Sequence, residues 1–337
     1  MYLNSKYLRC SSVYLQEHQI KSIMKSSVKT LLLGIVIVFI QTPDAISQRR
    51  MIYALKLNSD SEMRNYFRYT GNGLPIISGH RGGMTKGFPE NSIATFENTL
   101  GYTSAFFEID PRLTKDSMVV LMHDATLERT TNGSGKVSDY TYQELQQFRL
   151  KDPEGNLTDY KIPLLIDVIR WSKGKTVLNL DYKDVPFEMT EKLIQESGIE
   201  VIMLTVHNPD QAKYYLKNNP GRMFSAHILN LKTFNAYEMA GIPWENMIAY
   251  IGPRNKPENK ELLDKLHAKG VMCMISAAPS YDKLNIPSER AQNYRETFIQ
   301  GADILESDLP VEVSIAVKSL PGKSGIKQKF IKRQKLH

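Results

Sequence analysis

The feature that most constrains this chain is a regular alternation of short apolar runs with longer amphipathic stretches across residues 74–317. The runs fall at Leu74–Gly79, Ala105–Asp110, Met118–Met122, Thr176–Asp181, Val201–Val206, Met223–Ile228, Met247–Ile251, Val271–Ser276 and Asp303–Ser307. Helical spacing marks stretches between them, among them Asn91–Tyr102, Phe187–Ser197, Asp210–Asn218, Asn259–Lys269 and Glu289–Gln300. Strands that are apolar on both faces need cover on both faces, and intervening helices supply it. The pattern therefore predicts a parallel sheet of α/β class. Without its first 47 residues the 337-residue chain has 290, near the roughly 250 of a (β/α)8 barrel. A doubly wound open sheet is the rival. Its Gly-rich fingerprint does not fit Gly79-His80-Arg81-Gly82-Gly83, which follows the first run.

Nine runs exceed eight barrel positions. Only residues 111–117 separate Asp110 from Met118, too few for a parallel crossover. An antiparallel hairpin is predicted there, turning near Thr114-Lys115-Asp116-Ser117 and setting His123 opposite Ile109 or Asp110. The expected fold is a (β/α)8 TIM barrel with a small hairpin insertion after the second strand.

The ends differ from the body. The chain is 42% hydrophobic and 23% charged, which excludes a wholly disordered protein. Its two cysteines, Cys10 and Cys273, exclude a disulfide framework or a Cys-rich zinc site. The net charge of +7 sits at the termini. Residues 318–337 carry seven bases and no acid, residues 1–47 five bases and two acids, so the body is acidic. No nucleic-acid partner is expected. Residues 31–40 form a ten-residue apolar run, too short to span a bilayer. Lys25 and Lys29 precede it and Ala45-Ile46-Ser47 follows it. This reads as a signal peptide over residues 1–47 with Met24 as its start; an uncleaved anchor or a buried helix is the alternative. The expected locale is periplasmic or secreted. Residues 48–73 are read as an N-terminal extension, 74–317 as the barrel, and 318–337 as a poorly ordered basic tail. That tail could rest weakly on anionic lipid or simply stay solvated.

Chemistry in a β/α barrel collects at the C-terminal ends of strands. Those ends read Ser78-Gly79-His80-Arg81-Gly82, Glu108-Ile109-Asp110, His123-Asp124, Asp181-Tyr182-Lys183 and Glu306-Ser307-Asp308. Glu108 and Asp110 are two apart and share a strand face. With Asp181 they bring three carboxylates to one mouth, where they repel unless a cation sits among them. Oxygen ligands suit Mg2+ or Ca2+. His80 and His123 can serve as a general acid and a general base. Arg81 and Lys183 suit an anion such as phosphate. His207 ends a strand, as a further polar group at the mouth or as a structural one. His227 is placed within a strand and His267 on an exposed helix face.

The runs Gly79-His80-Arg81-Gly82, Pro89-Glu90-Asn91-Ser92, Phe107-Glu108-Ile109-Asp110 and Val120-Leu121-Met122-His123-Asp124 resemble the glycerophosphodiester phosphodiesterase family in order and spacing. Asp181-Tyr182-Lys183 falls where that family has Glu-x-Lys, and Ser307-Asp308-Leu309-Pro310 resembles its Thr-Asp-x-Pro. The resemblance covers about residues 74–315. It implies a TIM barrel with one divalent cation on Glu108, Asp110 and Asp181. It implies acid–base catalysis by His80 and His123, phosphate contacts from Arg81 and Lys183, and a substrate-site role for Glu90. The implied reaction is hydrolysis of a glycerophosphodiester, a small-molecule substrate, to glycerol 3-phosphate and an alcohol. Alternatives are another lipid or sugar phosphodiester, or a non-catalytic phosphodiester-binding barrel. Asp181 is a methylene shorter than the family's Glu. Met274-Ile275-Ser276 replaces an aromatic strand end. Met51–Gly73 has no evident counterpart.

Overall fold

Each barrel strand sends side chains alternately into the lumen and out toward a helix, and that period of two sorts the sequence into layers. The computed structural model describes residues 51–71, 73–320 and 326–336; the proposed signal segment lies outside them. In chain order the elements begin β1 (Met51–Leu55), α1 (Asp60–Tyr66), β2 (Ile76–His80), α2 (Ile93–Tyr102), β3 (Phe106–Ile109), β4 (Pro111–Leu113), β5 (Val119–Leu121), α3 (Tyr142–Leu145) and α4 (Leu165–Ser172). There follow β6 (Leu178–Leu180), α5 (Phe187–Ser197), β7 (Ile202–Val206), α6 (Pro209–Asn218), β8 (Met223–His227), α7 (Leu231–Met239) and β9 (Met247–Gly252). The last are α8 (Lys260–Ala268), β10 (Cys273–Ser276), α9 (Pro287–Ile299), β11 (Ile304–Ser307), α10 (Pro310–Val317) and β12 (Ile331–Lys335). Eight strands close a TIM barrel in the order β10-β11-β2-β3-β6-β7-β8-β9, and the paired neighbours run parallel. β4 and β5 form a separate antiparallel hairpin with Pro111 against Leu121. Met122 N–H donates to the Asp110 carbonyl at 2.9 Å, so this register carries His123 to the level of Ile109.

The lumen is apolar at its lower end, where Ile76, Phe106, Met203, Met223, Ile248 and Ile304 meet. Two residues further along the same strands stand Ser78, Glu108, Thr205, Ser225, Tyr250 and Glu306. Two further again come His80, Asp110, His207, His227 and Asp308. The intervening residues Ile77, Phe107, Ile109, Leu204, Phe224 and Leu305 pack outward under the helices. Phe107 stacks on Phe96 of α2 with ring centres 4.9 Å apart. Polar chemistry is thus confined to the upper two lumen layers, at the C-terminal mouth. No helix among the described residues is long and apolar enough to cross a membrane.

The termini depart from the sequence-based expectation. Residues 331–335 are not a loose tail: β12 pairs antiparallel with β1, Met51 against Lys335 and Leu55 against Ile331. Phe330 is buried with Leu55, Met63, Tyr66 and Phe67 against the lower lumen. The extension and the tail together therefore cap the barrel end opposite the mouth. Lys329, Lys332, Arg333 and Lys335 remain exposed on this clasp, so any lipid contact made through them would leave the mouth facing away.

Lys327 is buried, 6% exposed. Its Nζ donates to the Arg68 carbonyl at 2.8 Å and stands 5.9 Å from the Tyr66 ring centre. Burial pushes its pKa down to about 8, although Asp303 opposes the shift. Unfolded lysine keeps its proton to about pH 10.4. Between these values the unfolded chain binds more protons, so stability rises with pH. Wild type should gain on the order of 2–3 kcal/mol relative to Lys327→Met as pH rises from 8 to 10. Urea unfolding of both proteins across that range checks it; a constant difference would contradict the buried ammonium.

Candidate active site

Glu108 on β3, Asp110 just beyond it and Asp181 just beyond β6 each place one carboxylate oxygen within 4.8 Å of the others. Asp110 is 1% exposed. Its Oδ2 accepts from Asn91 Nδ2 at 2.7 Å, and its own N–H donates to Asn91 Oδ1 at 3.2 Å. Asn91 makes this two-way grip from a left-handed backbone, φ +55°, a strain that persists only when surroundings enforce it. Lys183 Nζ lies 2.7 Å from Asp181 Oδ2 and 3.1 Å from Asp110 Oδ1. The second contact is an ion pair without hydrogen-bond alignment, since Asp110 Oδ1 is a buried atom lacking a hydrogen-bond partner. Arg81 Nε is 3.6 Å from Asp110 Oδ2.

The electrostatics separate the two β3 carboxylates. Burial pushes Glu108 well above the usual range, and the charges of Asp110, Glu306 and Asp181 add to it while His80 opposes. Burial acts on Asp110 in the same sense, but Lys183, Arg81 and the Asn91 hydrogen bond outweigh it and hold the carboxyl low. A crowded set of oxygen donors with one buried, incompletely satisfied oxygen fits a hard divalent cation.

His80 ends β2. Its Nδ1 lies 2.7 Å from Asp308 Oδ1, and its Nε2 lies 3.9 Å from Glu108 Oε2. His123 repeats the device, with Nδ1 2.7 Å from Asp124 Oδ1. An Nδ1–H donated to a carboxylate leaves Nε2 as the atom that exchanges a proton. Burial lowers the His80 pKa, but the Asp308 hydrogen bond and the charges of Glu108, Glu306 and Asp308 outweigh it and push the value up to about 9. A cation on the carboxylates would cancel part of that field.

Supporting residues that sequence reasoning left without roles surround both histidines. Asp308 is held by its N–H to Asp282 Oδ2 at 2.7 Å and by Lys283 Nζ at 3.0 Å. Arg129 donates to Asp124 at 2.6 Å and 3.0 Å. Gly83, with φ +82°, joins the His80 turn to this support: a Cβ there would stand 2.1 Å from Pro310 Cγ. Glu90 is held by two arginines. Arg129 grips both of its oxygens at 2.8 Å, and Arg81 Nη1 adds contacts at 3.2 Å and 3.4 Å. A carboxylate so engaged fixes the Arg81 guanidinium at the edge of the site.

His227 lies in a strand as expected, and His267 departs from its expectation. His227 ends β8 and lines the mouth, with Nδ1 3.2 Å from His207 Nδ1. Burial first, then His207, push its pKa down to about 4 against the pull of Asp181. His267 is not exposed: it stacks on Tyr69 and bonds Asp303 at 2.9 Å, near the lower barrel end. The mouth holds a cavity of about 460 Å³, whose lining includes His80, Arg81, Glu108, Asp181, His207, His227, Tyr250 and Met274. His123 does not line it, although its charge acts on Asp110.

Residues 80–197 match the model of the glycerophosphoryl diester phosphodiesterase family. A solved glycerophosphoryl diester phosphodiesterase from Parabacteroides distasonis is 53% identical, with TM-score 0.82, covering 84% of this chain and all of that one. The chain belongs to the glycerophosphoryl diester phosphodiesterase family. A glycerophosphodiester phosphodiesterase of Caldanaerobacter subterraneus is 33% identical over 126 residues, 37% of this chain and 49% of that protein. The chain thus spans about half the length of the first curated relatives it matches. An Oleispira antarctica phosphodiesterase shares the fold at 21% identity and TM-score 0.54, covering 73% of this chain and 98% of that one.

Proposed function

We propose that this chain hydrolyses glycerophosphodiesters to glycerol 3-phosphate and an alcohol. The observation that carries the reading is the pair of histidines, each backed at Nδ1 by an aspartate, beside three carboxylates, Arg81 and Lys183. The Parabacteroides relative's name supports it, and the Oleispira neighbour was solved in complex with the product sn-glycerol-3-phosphate. Glu108, Asp110 and Asp181 would hold one divalent cation, Mg2+ or Ca2+. When bound, it supplies Lewis-acid stabilisation of phosphate charge.

Arg81 and Lys183 orient the phosphate and offset the charge that builds on it. Arg81 can do this because Glu90, itself clamped by Arg129, holds its guanidinium. One histidine takes a proton from the attacking oxygen at Nε2; if that oxygen is water, glycerol 3-phosphate forms directly, and if it is the neighbouring glycerol hydroxyl, a cyclic phosphate forms first and water opens it in a second step with the two histidine roles exchanged. The other gives a proton to the departing alkoxide from the same ring atom. Asp308 and Asp124 keep both rings in the tautomer that this exchange needs.

A panel of glycerophosphodiesters that differ in the alcohol tests the reading. Release of glycerol 3-phosphate from at least one member is expected. Faster turnover of diesters without a glycerol arm would shift the reading to another lipid or sugar phosphodiester. No turnover of any diester would contradict it.

A further inference from the structure

We propose that His207 supplies a nitrogen ligand to the cation held by Glu108, Asp110 and Asp181, and that His227 orients it. The proposal rests on the cation site of the proposed function and extends it to a residue outside the carboxylate set.

Placement comes first. β7 is the barrel neighbour of β6 with Leu180 level with Leu204, so Asp181 stands level with Thr205, and His207 follows two residues beyond on the same lumen face. They line the same cavity with Glu108. His207 Nε2 lies 3.8 Å from Asp181 Oδ1. That is too long for a hydrogen bond. It is the separation expected of two donors that each sit about 2.1 Å from a single ion, which stand roughly 3–4 Å apart.

The ring hydrogens can be arranged to suit this ligation. The Nδ1 atoms of His207 and His227 are 3.2 Å apart with ring planes at 73°. One must donate and the other accept. With His207 as the donor, its Nε2 carries a lone pair on the side of a carboxylate oxygen. A cation between them favours this tautomer; without one, the other tautomer turns His207 Nε2–H toward Asp181. Metal-bound histidines characteristically donate their second ring N–H to a fixed partner, and His227 is such a partner. Tyr250 packs on its other side with ring centres 4.8 Å apart.

Asp181 needs the help. Its Oδ2 is engaged by Lys183 at 2.7 Å, which leaves Oδ1, the oxygen that faces His207. A carboxylate a methylene shorter than glutamate reaches less far into the mouth, and an imidazole from the next strand restores a donor there. The His207 side chain is 39% exposed, so it has room to adjust. Its backbone is held by its N–H to Gln211 Oε1 at 2.7 Å.

Mn2+ alone, added to chelator-stripped full chain, is the probe. Pulsed EPR of the wild-type complex should show modulation from a directly bound imidazole 14N. His207→Gln should still bind Mn2+ through the carboxylates, about 10–100-fold more weakly, and should lose the modulation. His227→Phe should keep the modulation with weakened binding. His80→Gln, which removes the other imidazole near Glu108, should keep it as well. Circular dichroism confirms that each variant is folded. Wild-type Mn2+ bound without 14N modulation would overturn the proposal and leave the carboxylate site standing. Modulation lost in His80→Gln and kept in His207→Gln would overturn it too. Failure of wild type to bind Mn2+ would overturn both this proposal and the cation of the proposed function, whereas glycerol 3-phosphate release reports on that function separately.

Discussion

His80→Gln and His123→Gln should each lower kcat by about 10²–10⁴-fold, the usual contribution of a positioned acid or base. The two variants should differ in stability. His80 is the more enclosed, and its loss leaves Asp308 with Lys283 alone on its side chain while Glu108 and Glu306 lose a neighbouring cation. About 1.5–3 kcal/mol is expected for the loss of this charge-assisted hydrogen bond. Asp124 keeps both Arg129 contacts when His123 is removed, so His123→Gln should cost under about 1 kcal/mol. Chemical denaturation beside steady-state kinetics separates the effects. Wild-type kcat in either folded variant would remove that histidine from the reaction.

The carboxylates should behave differently. Asp110→Asn removes one charged oxygen and should weaken cation binding, so that activity partly returns at higher cation concentration. The histidine variants cannot recover in this way. The effect should also appear in stability. A cation at 100 times its Kd stabilises the native state by about 2.7 kcal/mol, and the variant should show less of this gain at equal concentration. Asp110→Asn also weakens the partner of Lys183 and Arg81, so its cation-free form should itself be less stable, by about 1–3 kcal/mol. Thermal melts over a Mg2+ and a Ca2+ series read both terms. Equal stabilisation of wild type and variant would place the ion elsewhere.

The legible part of this molecule is the part in which side-chain period and chain order coincide. The nine apolar runs all contain strands, because burial on both faces leaves a local mark. His80, Glu108, Asp110, Asp181 and Lys183 stood out because strand ends collect at one mouth. β1 and β12 did not stand out. Their pairing joins residues some 280 positions apart by backbone hydrogen bonds, and Ile331-Lys332-Arg333-Gln334-Lys335 carries too little apolar character to betray a strand. The supports of the site were quieter still. Asn91, Arg129 and Asp282 act only through other residues, so their types carry no chemical signal without geometry. Glu90 is legible as a residue of the site, but the two arginines that hold it are visible only in three dimensions. His227 was within reach of sequence reasoning, because stepping by two from Met223 through Ser225 sets it on the lumen side.

The most direct measurement is glycerol 3-phosphate release from a glycerophosphodiester by the purified wild-type chain, in excess EDTA and after Mg2+ or Ca2+ is restored. The account predicts turnover with the cation, loss in EDTA and recovery on addition of either ion. Undiminished release in EDTA would contradict the role given to Glu108, Asp110 and Asp181. No release under any condition would contradict the reaction itself.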